Sequence, residues 1–128
     1  IESEDLQYDR ERARKASLRY FEKMQKDGVV DVDAVFACND DMGLGARSAI
    51  LHLEREGVQF RRHLGIVGYD GVKEMRDYLD NHDRWVIGTI DVKLKEQISR
   101  CLDIMQMMIE QGVRDGRVEL VDPVVYRV

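Results

Sequence analysis

The sequence predicts an α/β domain in which a mainly parallel sheet is flanked by helices. Short apolar segments alternate with longer segments whose apolar residues recur every three or four positions, as in amphipathic helices. The apolar segments 33–38 and 65–69 are separated by one predicted helix, and together they form a unit of about thirty residues. A right-handed βαβ unit has this length, so we expect the two segments to be neighbouring parallel strands.

The composition is that of one folded domain without a nucleic-acid surface. The 128 residues include 20 basic and 25 acidic side chains, and 44% of the residues are hydrophobic. That apolar content and the periodicity argue against disorder. The formal charge of -5 and the lack of a basic patch interleaved with aromatics exclude nucleic acid as a partner of this segment. No apolar run approaches the length of about 18 residues that a membrane span needs.

The first predicted elements are a helix and a buried strand. Segment 33–38 is a nearly unbroken apolar run, which is typical of a strand covered on both faces. We expect Gly28 to end the preceding helix in the left-handed conformation. That helix is predicted over residues 9–26, with an apolar side formed by Ala13, Ser17, Tyr20, Phe21 and Met24.

Three polar residues follow this strand and open a second helix, predicted over 41–56. They are Asn39, Asp40 and Asp41. Either Asp40 or Asp41 is expected to cap the helix by accepting hydrogen bonds from its first free N–H groups. In open α/β sheets, ligands bind beyond the carboxyl ends of the strands, so Asn39 lies where a ligand would bind.

Two further strands end in acidic residues. Segment 65–69 ends with Tyr69 and is followed by Asp70, and segment 86–90 is followed by Asp91. A short helix is predicted between them. Both acidic residues are therefore expected at the same edge of the sheet as Asn39.

The C-terminal part has the strongest helical pattern in the chain, followed by an expected left-handed stop at Gly112. Segment 118–128 contains the single proline, Pro123, and is predicted as an edge strand, because proline removes one ladder donor. The apolar stripe of the helix is formed by Leu94, Ile98, Cys101, Leu102, Met105, Met108 and Ile109.

Converging carboxylates at this edge suit two chemistries. Asp and Asn side chains accept hydrogen bonds from the hydroxyls of a sugar or polyol, and an aromatic such as Tyr69 covers the C–H face of the ring. Alternatively, clustered carboxylates hold magnesium for phosphoryl chemistry, as in a phospho-accepting receiver domain. The order of elements opposes the receiver, because only one crossover separates Asp41 from Asp70.

Signals for an enzyme or a cofactor site are absent from the sequence. It has no Gly-x-Ser-x-Gly elbow, no paired metal-ligating histidines and no dinucleotide fingerprint. We therefore expect no catalytic residue, no metal and no cofactor. Cys38 and Cys101 are expected to be buried free thiols that pack as small hydrophobic side chains.

Two segments together resemble a known family. They are Ala34-Val-Phe-Ala-Cys-Asn-Asp-Asp-Met-Gly-Leu-Gly-Ala46 and Gly65-Ile-Val-Gly-Tyr-Asp-Gly71. The pair is similar to the type 1 periplasmic sugar-binding proteins and to the ligand-sensing domains of lactose-repressor-type regulators. The resemblance implies a Rossmann-like lobe that binds a sugar against a second lobe, with closure of the two lobes carrying the signal.

The resemblance also implies roles for single residues. Asn39 matches a position that hydrogen-bonds the ligand, Asp70 an acid that binds sugar hydroxyls, and Tyr69 the aromatic residue before it. The family often has a glutamine near Val92, and this chain has none, so Asp91 is the expected substitute.

The resemblance covers only part of the family's fold. Residues 1–128 match one partial C-terminal lobe, in which 92–128 form the crossover helix and the return strand. The chain begins at Ile1 rather than at methionine, so we expect a processed or truncated piece whose N-terminal lobe is missing. In an intact relative that lobe would cover the apolar stripe; here we expect the chain to hide the stripe by homo-oligomerisation or by refolding it onto its own sheet.

Two settings share this fold. A solute-binding receptor for transport or sensing would be periplasmic or extracellular, whereas a lactose-repressor-type regulator would be cytoplasmic. The Asp70-Gly71 pair and the absence of a proline after Thr89 favour export.

Overall fold

The computed structural model describes residues 6–112 and 121–127. The helices and central strands predicted from the sequence are all present. Residues 118–120 and 128 of the predicted last strand lie outside the described ranges. The elements are α1 (Arg10–Met24), β1 (Gln25–Lys26), β2 (Val29–Val30), β3 (Ala34–Phe36), α2 (Asp40–Arg55), β4 (Gln59–Phe60), β5 (Gly65–Asp70), α3 (Lys73–Asp80), β6 (Val86–Asp91), α4 (Leu94–Gln111) and β7 (Val124–Arg127).

The main sheet has the strand order β3-β5-β6-β7. Strands β3, β5 and β6 are parallel, which confirms the predicted βαβ unit formed by β3, α2 and β5. Strand β7 pairs antiparallel with β6 at the edge and follows Pro123, as predicted for an edge strand.

One face of this sheet forms the core. Ile66 and Val86 point into it and are fully buried, and Met75 of α3 packs close to Ile66 and to Gly43 of α2. The core continues beyond the sheet as a series of aromatic rings in edge-to-face contact. Phe60 lies 5.4 Å from Phe21 and 5.8 Å from Trp85 between ring centroids.

No described helix covers the opposite face of the sheet. Phe36 of β3 is 67% exposed, and Ile87 of β6 and Val125 of β7 are 47% and 68% exposed. The prediction that strand 33–38 is covered on both faces is therefore wrong. Strand β3 lies at an edge of the described sheet, and α2 and α3 both pack on the other face.

A second small sheet of order β1-β2-β4 was not predicted. Gly28 does not end α1 but lies with Asp27 in the hairpin turn between β1 and β2, where φ is 50° for Asp27 and 81° for Gly28. Two consecutive positive φ values define the turn that Asp-Gly sequences favour. The prediction for Gly28 is therefore wrong in its element, although its left-handed conformation is correct.

Helix α4 ends at Gly112, which has φ of 62° as predicted, but the helix has no buried residue. Leu94, Leu102 and Ile109 are 61%, 60% and 79% exposed. Refolding of the stripe onto the chain's own sheet is therefore wrong. Cys101 and Cys38 are also exposed, which corrects the expectation of buried thiols. No helix within the described ranges is both long and apolar enough to cross a membrane.

Candidate functional site

The residues predicted to bind a ligand lie at the carboxyl edge of the main sheet. Asn39 follows β3, and Asp70 and Asp91 are the last residues of β5 and β6. Asp70 and Asp91 are direct register partners across the two parallel strands. The structure thus brings together three of the predicted polar groups at the end of the sheet.

Asn39 caps α2. Its Oδ1 accepts a 2.8 Å hydrogen bond from the backbone N–H of Met42, and its Nδ2 donates to the carbonyl of Tyr8 at 3.3 Å. The prediction that Asp40 or Asp41 caps this helix is therefore wrong. Three successive residues could have served as the cap, and the extended backbone of Asn39, with φ of -150°, makes it the residue before the first helical turn.

Asp40 is a fully buried carboxylate that joins three segments of the chain. Its Oδ1 accepts from the hydroxyl of Thr89 on β6, and its Oδ2 accepts from the N–H of Val72, both at 2.7 Å. Gly68 provides the space, because a Cβ at this position would lie 2.0 Å from Oδ1. Burial raises the pKa of Asp40 above its ordinary value, and the hydrogen bonds from Thr89 and Val72 oppose this shift.

Asp41 points away from this buried group. Arg10 of α1 bridges Asp41 and Glu74, at 2.5 Å and 2.7 Å between guanidinium and carboxylate atoms. All three side chains are about half exposed. The bridge fastens the starts of α1, α2 and α3 to one another beside the site.

Asp70 has an unusual backbone conformation, with φ of 120°. Few residues other than glycine adopt this region, and such strain is concentrated at functional sites. Burial raises the pKa of Asp70, and the nearby charge of Asp41 adds to the rise, whereas a hydrogen bond from the backbone of Asp40 lowers it. Within the described residues, no ion pair neutralises Asp70.

Asp91 differs from Asp70 because its carboxylate is already bonded on both oxygens. Oδ2 pairs with Arg76 of α3 at 2.9 Å, and Oδ1 accepts from the N–H of Lys93 at 2.8 Å. Gly71 has φ of 70° and lies against Asp91, where a Cβ would come within 2.6 Å. Asp91 therefore holds the β5–α3 loop and the start of the α4 connection together.

Tyr69 lies on the uncovered face of the sheet. It is 39% exposed and shares a cross-strand row with Ile90 and Val125. The buried face carries Gly68 and Thr89, which flank Tyr69 and Ile90 in the two strands. The structure thus places Tyr69 beside Asp70 in sequence but on the opposite face from Asp40.

Two positioning residues, Thr89 and Arg76, were not predicted. Thr89 is 1% exposed within an otherwise apolar strand, and its hydroxyl also accepts from the N–H of Gly71 at 3.3 Å. A lone threonine among apolar residues was the available signal, because a buried hydroxyl requires a partner. Arg76 had no comparable signal, since its partner lies on a different element.

Taken together, these groups form an edge rich in hydrogen-bond acceptors. Asp40 is saturated by protein donors, Asp91 is held by Arg76, and Asp70 is the carboxylate left for an added donor among those described. No group of three or more His, Cys, Asp or Glu in the described part of the chain could hold a metal ion. Hydroxyl groups of a neutral ligand are suitable donors for such an edge.

Solved structures with this fold include periplasmic sugar-binding proteins. An ABC transporter periplasmic solute-binding protein from Actinobacillus succinogenes with bound D-allose matches 92% of this chain and 37% of its own, with a TM-score of 0.71 and 23% identity. The Caulobacter myo-inositol-binding protein, bound to myo-inositol, matches 93% and 37%, with a TM-score of 0.77 and 20% identity. The binding protein of an arabinose ABC transporter from Shewanella sp. ANA-3 matches 93% and 36%, with a TM-score of 0.67 and 20% identity.

These matches establish the fold. The chain has the architecture of one lobe of the periplasmic-binding-protein fold and spans little more than a third of the length of these proteins, from 36% to 37%. No protein-family model matches the chain, and no curated protein sequence does.

Proposed function

We propose that this chain is one lobe of a non-enzymatic receptor that binds a sugar or polyol for transport or sensing. The observation that carries the proposal is the position of Asp70. Asp70 has a strained backbone, and its carboxylate has no cationic partner among the described residues. It lies at the edge where ligands bind in α/β sheets, in a chain with the fold of sugar-binding proteins. The receptors matched in structure are described as periplasmic or as parts of transporters, which supports an exported protein.

The proposed site uses three residues with different tasks. Asp70 accepts hydrogen bonds from two ligand hydroxyls, and Tyr69 offers a ring face from the neighbouring strand position. The Nδ2 group of Asn39 donates to the ligand in exchange for its long 3.3 Å bond to Tyr8. Asp91 is paired with Arg76, so it shapes the edge of the site and is not a free acceptor for the ligand.

A second lobe would supply the opposite wall of the cleft. The described residues form one wall only, so a sugar would make about half of its contacts here. We therefore expect the chain alone to bind monosaccharides more weakly than about 1 mM, the affinity that corresponds to about -4.1 kcal/mol. Closure of the two lobes around the ligand would carry the signal.

Amide chemical shifts provide the test. The ¹⁵N-labelled chain is titrated with D-allose, myo-inositol and L-arabinose, and shifts are expected at Asn39, Tyr69 and Asp70. Asp70→Ala should abolish these shifts, whereas Asp77→Ala, an exposed acid on α3, should leave them unchanged. Shifts that avoid the sheet edge, or that persist in Asp70→Ala, would refute the proposed site. If calorimetry showed that one of these sugars binds with a Kd below about 1 mM, the proposal that this chain forms only one wall of the cleft would be contradicted.

The same fold in a cytoplasmic lactose-repressor-type regulator is the alternative setting. The full reading frame distinguishes the two settings. An exported receptor predicts a signal peptide before Ile1, whereas a regulator predicts a helix-turn-helix domain there.

A further inference from the structure

The conformation of Asp70 requires support from its neighbours. A φ of 120° is rare for a residue with a side chain, and it persists only where the surrounding contacts fix it. Gly71 follows with φ of 70°, so the chain turns sharply after the last residue of β5. Hydrogen bonds that hold this turn lead to the same two residues, Asp40 and Thr89.

Both peptide groups after Asp70 donate to this pair. The N–H of Val72 donates to Oδ2 of Asp40 at 2.7 Å, and the N–H of Gly71 donates to the hydroxyl of Thr89 at 3.3 Å. The hydroxyl of Thr89 in turn donates to Oδ1 of Asp40 at 2.7 Å. The two acceptors are therefore one connected unit, and they fix the chain directly after Asp70.

A further hydrogen bond reaches the side chain of Asp70 itself. The backbone N–H of Asp40 donates to the carboxylate of Asp70. Asp40 is the first residue of α2, so its N–H has no acceptor within the helix and is available for this bond. Asp40 thus acts on Asp70 twice, because its main chain holds the carboxylate and its side chain holds the turn that follows.

We propose that Asp40 and Thr89 are positioning residues that hold the carboxylate of Asp70 in the geometry that ligand hydroxyls require. The inference rests on the proposed function, in which Asp70 is the acceptor for those hydroxyls. Asp40 and Thr89 are 0% and 1% exposed, so neither touches the ligand. Their contribution to binding is pre-organisation, since apparent affinity falls with the fraction of molecules in the competent conformation.

The polar character of the pair favours this task over packing alone. Apolar groups of the same shape can replace a buried hydrogen-bonded pair at little or no cost in stability. Thr89 lies on an otherwise apolar part of β6, where valine would have the same shape and strand preference. The hydroxyl and the carboxylate provide what apolar side chains cannot, namely acceptors for the two amides after Asp70.

Nuclear magnetic resonance tests the inference without any sugar. The three-bond coupling between the amide and α protons of Asp70 is small at a φ of 120° and large in ordinary extended backbone. We expect a small coupling in the parent chain and a large one in Thr89→Val, which removes only the hydroxyl. The Asp40 amide, which donates to Asp70, should also exchange with solvent faster in this variant. Thr89→Ser retains a hydroxyl and should restore both values.

Two further variants complete this experiment. Val86→Ala is the matched control, because it removes buried apolar atoms from the same strand and should keep the small coupling of Asp70 despite its lower stability. Val72→Pro removes the N–H that donates to Asp40, and the φ of Val72, -64°, suits proline. It should raise the coupling as Thr89→Val does, and it decides the question if Thr89→Val does not fold.

A titration with myo-inositol connects the conformation to binding. If the competent turn falls to about a tenth of the molecules in Thr89→Val, the initial slope of the amide shift at Asn39 should fall about tenfold. A parent chain that does not respond to the sugars refutes the proposed function, whereas the couplings still decide whether the pair positions Asp70.

The inference is overturned by a large coupling in the parent chain, or by a small one that persists in Thr89→Val and Val72→Pro. A large coupling in Val86→Ala would overturn it too, because the conformation would then depend on general stability. Sugar binding that is unchanged in a variant with a relaxed Asp70 also overturns it.

Discussion

The hydroxyl of Thr89 donates a 2.7 Å hydrogen bond to the buried carboxylate of Asp40, a residue 49 positions earlier in the sequence. The second oxygen of Asp40 accepts from the N–H of Val72. One side chain thus connects the start of α2, the β5–α3 loop and the interior of β6 directly behind the proposed ligand edge.

Removing this carboxylate should destabilise the fold. Asp40→Ala removes the acceptor of the buried hydroxyl of Thr89 and of the part-buried N–H of Val72, and an orphaned buried group costs about 1–3 kcal/mol. We expect a loss of about 2 kcal/mol or more in the free energy of unfolding, measured with urea at a fixed protein concentration. The neighbouring Asp41→Ala removes a half-exposed ion pair and should cost less than about 1 kcal/mol. Equal losses for the two variants would show that the Asp40 network is not stabilising.

The acid dependence of stability should reveal Asp83. Burial alone would raise the pKa of Asp83, but hydrogen bonds from Arg47 and from the backbone of Trp85 and Val86 lower it below the ordinary value of 3.8. A carboxyl whose pKa is lowered by folding stabilises the protein above its unfolded pKa, and this contribution is lost as the pH falls through the folded pKa. Asp83→Asn should therefore be less stable than the parent chain at pH 7, and the difference should shrink below about pH 4.

Asp40 and Asp70 should act with the opposite sign, because folding raises the pKa of both. Their contribution to stability decreases as the pH rises from 3.8 through the folded pKa. Comparing the parent chain with Asp83→Asn at each pH cancels this shared background. A difference that stays constant from pH 7 to pH 3 would contradict the assignment to Asp83.

Gly68 should not tolerate even a methyl group. The Cβ of Gly68→Ala would lie 2.0 Å from Oδ1 of Asp40 and 2.9 Å from Cε of Met75. Overpacking of a core costs about 1–3 kcal/mol, and displacement of Asp40 would add the loss of its hydrogen bonds. Gly43→Ala is the control, because its closest new contact is 3.3 Å and alanine favours the helix in which it lies. Thermal unfolding should show a large loss for Gly68→Ala and a small change of either sign for Gly43→Ala.

The sequence predicted the elements of the fold because their patterns are local. Helix α4 was predicted from its stripe, and β5 and β6 from apolar runs that end in acids. Whether helices cover both faces of β3 was not predictable in the same way, because the covering helices come from segments that are distant in sequence. The hairpin at Asp27-Gly28 carried a recognisable signal, but its strands of two residues are too short to show alternation.

The site was only partly predictable. The order of strands places Asn39, Asp70 and Asp91 at one edge, as expected for parallel strands. Local rules could not decide which of Asn39, Asp40 and Asp41 is the cap, since all three are good capping residues. The choice depends on Thr89 and Gly68, which accommodate the carboxylate of Asp40 but are distant in sequence.

Gly71 and Asp91 lie so close together that the residue at position 71 cannot be replaced without a change in β6. A side chain at position 71 would overlap the Cα as well as the side chain of Asp91, both within 2.8 Å, so shortening Asp91 alone cannot make room for it. In divergent descendants of this chain, Gly71 could therefore be replaced only after the backbone of β6 had moved. Random drift should leave position 71 as glycine long after the ligand specificity of the edge has changed.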